Sequence, residues 1–336
     1  MPENLNDYAS TCYSQNGEDG ILEEILRRLD ITEGTCVEFG AGDGRDISNT
    51  YRLWHDLGWD ALLIEAVAEK FNALSHCVTR NRGTVLAMNA FVTHDGPKLN
   101  SDTLPGGNTL DALMEQVEKA STLSFQDVDV LSIDIDGNDY HVWKAFKNYT
   151  AKCVIIEHRA EIPPHISYHD PPGREWGIGA SARALEELAT EKGYTLVALT
   201  ETNTFFIRDD LAPKLGDVVT RLEDMHDPSW CTYMIGEFSG RRCHLTRPHP
   251  QGYYPLKDPE ERKLRPERQL YPVQFHEADW NTLQGKFRIQ DDKLHVHVQE
   301  DNPYVGTAPL YSLSLDLKKE WRNACDRAGF SLESPE

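Results

Sequence analysis

An apolar run that closes in a glycine-rich turn, Val37-Glu-Phe-Gly-Ala-Gly-Asp-Gly44, is the segment best suited to chemistry. Glycines at 40, 42 and 44 let the backbone pass close to a ligand and take dihedral angles that other residues resist. A strand ending this way presents its ligand at the carboxyl edge of a sheet, where strand order reverses. The dinucleotide fingerprint is G-x-G-x-x-G, with a pyrophosphate on a helix N-terminus. Here the spacing is G-x-G-x-G, with Asp43 between glycines and Glu38 just upstream. Those carboxylates would repel a pyrophosphate. They suit a ligand carrying an ammonium and a sulfonium, as S-adenosylmethionine (SAM) does.

Glu65 ends the next apolar run, about twenty residues on, where an acidic side chain accepts hydrogen bonds from both ribose hydroxyls of a nucleoside. Asn89 ends the third run, where its amide could read an adenine edge or brace a turn. Ala41, Ala66 and Ala90 adjoin these positions and complete the expected cofactor contacts, together with Asn49 and Thr50. Further on, Leu131-Ser-Ile-Asp-Ile-Asp-Gly-Asn-Asp139 gathers Asp134, Asp136 and Asp139, and Glu157-His158 ends a fifth run. Two chemistries are open at this edge. Asp134, Asp136 and Glu157 could hold Mg²⁺, a hard cation that takes oxygen ligands and lowers the pKa of a bound hydroxyl. Alternatively, Asp134 or His158 could act as a general base without metal. Asp136 and Asp139 could instead be turn and helix-cap residues.

The elements that must position these residues alternate. Helical spacing predicts helices over 17–30, 49–57, 70–78, 110–119, 140–146 and 181–192, the last capped by Ser181 and stopped by Gly193. Apolar runs predict strands at 35–40, 61–66, 84–90, 128–135 and 153–157. Five strands separated by helices imply a parallel sheet covered on both faces. Two further strands, 194–200 and 204–208, have only a short connection and must pair antiparallel. The expected fold is therefore α/β and Rossmann-like: a mostly parallel sheet with one antiparallel strand, which separates the SAM-methyltransferase arrangement from the dehydrogenase one. The domain is expected over 1–210. A C-terminal region of mixed and β character, 211–336, includes a hairpin over 285–300.

The net charge of −21, from 55 acidic and 34 basic residues, argues against a nucleic-acid partner. No apolar run is long enough for a bilayer, so no membrane partner is expected. The first residues do not resemble a signal peptide, and seven scattered cysteines form no C-x-x-C pair, which points to reducing cytoplasm. A small-molecule substrate fits this profile, and a homo-oligomer is compatible with it. The loop 161–176, rich in proline and aromatics, reads as a lid or substrate wall, with Arg159, Arg174 and Trp176 as candidate contacts. His165 and His169 have helical metal-pair spacing, but the flanking prolines oppose a helix. His295 and His297 read as surface residues.

Several segments in order resemble the FkbM-type SAM-dependent methyltransferases. They are Tyr13-Ser-Gln-Asn-Gly-Glu-Asp-Gly-Ile-Leu, Val37 to Gly44, Ser48-Asn-Thr, Gly58-Trp, Ile64-Glu, Asn108-Thr-Leu-Asp and Ile133-Asp-Ile-Asp-Gly-Asn-Asp. The resemblance covers about residues 10–210 and implies O-methylation of a sugar-like or natural-product hydroxyl. It implies that Glu38 to Gly44 and Glu65 hold SAM, that Tyr13 and Gln15 close over it, and that Asp134 lies near the methyl group. The chain departs from the family's frequent Asp-x-Glu-Gly at Asp134-Ile-Asp-Gly. It also has Glu157-His158 where some metal-dependent relatives have paired aspartates. Two other readings are an NAD-dependent oxidoreductase on a similar sheet and a non-catalytic SAM-binding scaffold.

Overall fold

The computed structural model describes residues 2–79, 81–101, 105–172 and 179–227, Trp230, and five short strands further along the chain. Two compact units divide the chain, Met1–His226 and Asp227–Glu336.

The first unit is built on seven strands: β1 (Thr35–Phe39), β2 (Asp60–Glu65), β3 (Val85–Asn89), β6 (Asp127–Ile133), β7 (Thr150–Glu157), β8 (Tyr194–Leu199) and β9 (Asn203–Arg208). Two short strands, β4 (Phe91–Thr93) and β5 (Gly107–Thr109), pair separately. The main sheet runs β3-β2-β1-β6-β7-β9-β8. The strands from β3 to β7 are parallel, while β9 is antiparallel to both β7 and β8. Strand order therefore reverses between β1 and β6, and the sheet ends in the antiparallel hairpin that the short 200–203 connection requires. This is the Rossmann-like methyltransferase architecture.

Apolar β1, β2, β6 and β7 are buried along nearly their whole length because helices cover both faces. Those helices are α1 (Glu18–Leu29), α2 (Ala68–Cys77), α3 (Leu110–Ala120), α4 (Asp139–Ala145) and α5 (Ala182–Lys192). Ser181 caps α5 by accepting from the Ala184 N–H, and Gly193 ends it in the left-handed region at φ 78°. Trp54, Trp59, Trp143, Phe39, Phe125, Phe205 and Phe206 are the largest fully buried side chains among the described residues.

Two expectations are corrected. Residues 49–57 do not form an ordinary helix. Only Arg52–Asp56 makes a turn, and it is π-helical, because residues 48–50 are held by a buried carboxylate instead. The first unit also continues beyond residue 210. Leu215, Leu222 and Met225 are buried, and Glu3 pairs with Val218. Arg28 donates to the Leu215 carbonyl at 2.8 Å, and Asn6 to that of Met225 at 3.3 Å.

In the second unit, β10 (Met234–Gly236) pairs antiparallel with β11 (Arg242–His244). The expected hairpin is present as β12 (Phe287–Gln290) and β13 (Lys293–Val296), with β14 (Leu313–Ser314) on β13. The side chains of His295 and His297 lie outside the described residues, as do Arg174 and Trp176. No helix among the described residues is long and apolar enough to cross a membrane.

Candidate active site

The glycine turn leaves β1 at the switch point. Gly40 and Ala41 donate their N–H groups to the Ile64 carbonyl at 3.0 and 3.1 Å, which ties the turn to the end of β2. Gly42 donates to Glu65 Oε2 at 2.8 Å, and the Val67 N–H donates to Glu65 Oε1 at 2.6 Å. The Glu65 carboxylate is thus buried beside the turn, with each oxygen held by a backbone N–H. At Gly42 (φ 57°) nothing lies within 4 Å of where a Cβ would stand, so the backbone faces open space. Asp43 Oδ1 accepts from the N–H groups of Arg45 and Asp46 and stiffens the turn.

Glu38 has a different role from the expected one. Its carboxylate is buried and accepts from Ser48 Oγ (2.6 Å), Thr50 Oγ1 (2.7 Å) and the Asn49 N–H (3.0 Å). Burial pushes its pKa up, and these hydrogen bonds pull it back. Glu38 is therefore a positioning residue that fixes the 48–50 loop. Thr50 is fully buried, and Asn49 donates its amide to Ser132 Oγ at 3.1 Å, so neither side chain points to a ligand. Asn89 donates its amide to the carbonyls of Glu65 (2.8 Å) and Ala66 (3.2 Å), bracing the turn after β2. Ala90 is buried beside it.

The segment before α1 crosses the same edge. Asp19 Oδ2 accepts from the N–H groups of Cys12, Tyr13 and Ser14, each at 2.8 Å. Buried Glu18 accepts from Thr200, Thr202 and Asn203 in the β8–β9 turn. Tyr13 packs edge-on against Tyr51 at 4.6 Å, and its hydroxyl donates to Asp56 at 3.2 Å. Gln15 is exposed on this segment.

Past β6 the chain turns sharply through Asp136, whose φ of 56° is left-handed. Asp139 is buried and accepts from the N–H groups of Ile135 (2.8 Å) and Gly137 (2.9 Å). It is thus a loop-fixing residue. Asp134, Asp136 and Glu157 converge, with carboxylate oxygens within 4.8 Å of one another. Arg159 pairs with Glu157 at 3.0 Å and approaches Asp136 at 3.8 Å. Burial, then Asp139 and Asp136, push Asp134 up to about 8, with Arg159 opposing. Burial likewise pushes Glu157 well above the carboxylate range against the pull of Arg159.

Burial thus favours the neutral forms of Asp134 and Glu157, and Arg159 is the cation nearest the cluster. The cluster's oxygens form the donor set of a hard divalent cation. Arg159 already pairs with two of the three carboxylates, so an ion would have to displace it.

His158 does not join the site. Successive residues of an extended chain face opposite ways. Glu157 points into the carboxylate cluster, whereas His158 Nε2 donates to the Thr200 carbonyl at 2.9 Å. The ring is 2% exposed, its Nδ1 has no hydrogen-bond partner, and burial pushes it down to about 4. A neutral imidazole sealed against the hairpin cannot take a proton from a substrate at the edge.

Sequence reading missed a ring cluster at this edge. Tyr140 stacks on His169 at 4.0 Å, and His141 lies 5.1 Å from His169 and 5.6 Å from His94. The adjacent pair Tyr140-His141 at the start of α4 was the available signal. Only the fold brings residues 94 and 169 to it.

No family model matches this chain, and no curated protein does. Solved structures with similar topology include magnesium protoporphyrin IX methyltransferase from Synechocystis PCC 6803 with bound SAH, at 7% identity, 57% of this chain, 81% of that one and TM-score 0.35. Another is a S-adenosylmethionine-dependent methyltransferase from Clostridium acetobutylicum ATCC 824, at 9% identity, 57% and 90% coverage and TM-score 0.33. A third is a glycopeptide N-methyltransferase complexed with sinefungin, at 14% identity, 61% and 90% coverage and TM-score 0.30. Likeness this distant carries no argument about function. The fold assignment stands on the strand order and the terminal hairpin.

Proposed function

We propose that this protein is a SAM-dependent methyltransferase that methylates a hydroxyl of a small sugar-like or natural-product acceptor. One observation carries the reading. Asp134, with a pKa of about 8, sits at the switch point where β6 meets the glycine turn, and its backbone N–H donates to the Phe39 carbonyl at 3.2 Å. A carboxylate tuned close to neutral pH suits a general base.

SAM would lie over Gly40–Asp43, its ribose on Glu65, and its methyl group toward Asp134. Bound SAM would supply its methyl group to the acceptor oxygen and leave as S-adenosylhomocysteine. The hydroxyl proton passes to Asp134. Holding the reactants in line supplies much of the rate. Arg159 serves as the resident cation of the carboxylate cluster. Mg²⁺ is proposed only as an ion that would have to displace it. The FkbM-type motifs support the acceptor class, and Asp43 at the turn favours SAM over NAD.

Calorimetric titration with SAM, S-adenosylhomocysteine and NAD tests this. Micromolar binding of the first two and none of NAD is expected. Binding of NAD alone, or of none of the three, overturns the reading.

A further inference from the structure

Three imidazoles from distant parts of the chain meet at the carboxyl edge of the sheet: His94 just after β4, His141 in the first turn of α4, and His169 in the loop before α5. We propose that these three side chains form the acceptor subsite, and that they bind a polyhydroxylated ring, a sugar or cyclitol, by accepting hydrogen bonds from its hydroxyl groups. The inference rests on the methyltransferase reading for its place in the reaction, and on the rings alone for the binding.

Fixed tautomers are the first support. His141 Nε2 and His169 Nδ1 lie 2.6 and 3.0 Å from one carbonyl oxygen, that of Asp170. A carbonyl only accepts, so both nitrogens carry the proton. His141 Nδ1 and His169 Nε2 are left as lone-pair acceptors. Burial pushes the pKa of His141 down, the Asp170 carbonyl opposes, and His169 and His94 add to the push, so the His141 ring is neutral at pH 7. The carbonyl is itself anchored. Asp170 is buried, and its carboxylate accepts from the Tyr168 hydroxyl at 2.8 Å and the Gly179 N–H at 2.7 Å. Tyr140, stacked on His169 at 4.0 Å, sets the plane of that ring.

Direction and access are the second. The two nitrogens of an imidazole face nearly opposite ways, so both lone pairs point away from Asp170. His169 is exposed, and His94 and His141 are half-buried. Neither His94 nor His141 Nδ1 has a protein partner among the described residues, and none of these nitrogens is sealed from solvent. His94 makes no hydrogen bond, so its ring can turn either nitrogen to a ligand. Divergent acceptors suit separate hydroxyls spaced around a ring, each of which brings its own donor.

Placement is the third. Helix α4 opens at Asp139, on the loop that carries the proposed base Asp134. On the other side, the Asp170 N–H donates to the Gly179 carbonyl at 3.0 Å, and the Ser181 N–H to that of Tyr168 at 2.8 Å. The Arg159 N–H donates to the Ala180 carbonyl at 2.9 Å, and a Cβ on Gly179 would stand 3.4 Å from Arg159 Nε. The rings are therefore tied on one side to the segment of Asp134 and on the other to that of Arg159.

The test uses the full chain carrying nitrogen-15 histidine. Methyl glycosides of glucose, galactose, mannose, rhamnose and fucose are titrated one at a time, with cyclohexanol as a ring that lacks the set of hydroxyls, and the imidazole nitrogen shifts are read by NMR. At least one glycoside should move the His141 Nδ1 and His169 Nε2 signals, and cyclohexanol should not. H94F and H169F should each weaken that glycoside about fivefold, the worth of one hydrogen bond, and leave S-adenosylhomocysteine affinity unchanged. H94F removes no hydrogen bond of the fold and decides the matter should H169F misfold. Silence of both signals across the glycosides, an equal response to cyclohexanol, or binding indifferent to H94F would each overturn the subsite. Loss of S-adenosylhomocysteine binding in the parent, with glycoside binding intact, would overturn the methyltransferase reading alone.

Discussion

The carbonyl oxygen of Asp134 lies 1.5 Å from where a Cβ on Gly40 would stand. The first turn of the proposed cofactor site and the proposed base therefore touch through their backbones. No side chain fits at 40, where φ is 75°. Gly40→Ala should cost more than about 4 kcal/mol of stability, the range of severe core disruption. Gly42→Ala, with open space around it, should cost only about 1 kcal/mol of backbone strain yet weaken SAM at least tenfold by blocking close approach. Denaturant melts and calorimetry on both variants check the contrast. Equal effects on stability would remove the distinction.

Turnover should follow the ionisation of Asp134. Its base form appears above about 8, so kcat/KM for the acceptor should rise tenfold per pH unit below that value and level off above it. Asp134→Asn should abolish the rise and lower kcat by a factor of 100 or more, with SAM affinity within threefold of the parent. A flat profile in the parent would remove Asp134 as base.

The same shift affects stability. The folded pKa is raised above that of the unfolded chain, so the folded state binds more protons between about 4 and 8. The contribution of Asp134 is fully present below that window and is lost as pH rises through it. Asp134→Asn should raise Tm by a few degrees at pH 8.5 and leave it unchanged at pH 4, as scanning calorimetry would show.

Burial has the opposite consequence at His158. Its folded pKa of about 4 lies below that of a free imidazole, so stability is present above about 6.5 and is lost as pH falls toward 4. His158→Phe should flatten that acid limb. It should leave the pH profile of turnover in place, which a catalytic histidine would not do.

Glu38→Ala removes the acceptor of three hydrogen bonds inside the core and should cost about 2–3 kcal/mol. Glu38→Gln keeps the shape and should recover at least half of that loss in urea melts. Recovery of SAM binding in parallel with stability would confirm an indirect role.

The fold was largely legible because its signals are local. Alternating apolar runs and helical spacing mark each layer, and the short 200–203 connection forces the hairpin. The glycine turn, Glu65 and the Asp134–Asp136–Glu157 convergence followed, since all lie at the ends of parallel strands. Which way each side chain faces was harder to read. Glu38 looks like a ligand residue until its partners in the 48–50 loop are seen. His158 adjoins Glu157 in sequence yet faces the other way. Residues 94, 141 and 169 became neighbours only through tertiary packing, which no spacing rule encodes.

The crossing segment before α1 has a consequence for the order of assembly. Glu18 is held by Thr200, Thr202 and Asn203, and Glu3 by Val218, so residues made early wait for partners made nearly two hundred positions later. During synthesis the parallel strands can associate while this roof is still untied, since contacts so distant in the chain close late. The cofactor edge would be finished last, once the hairpin has left the ribosome.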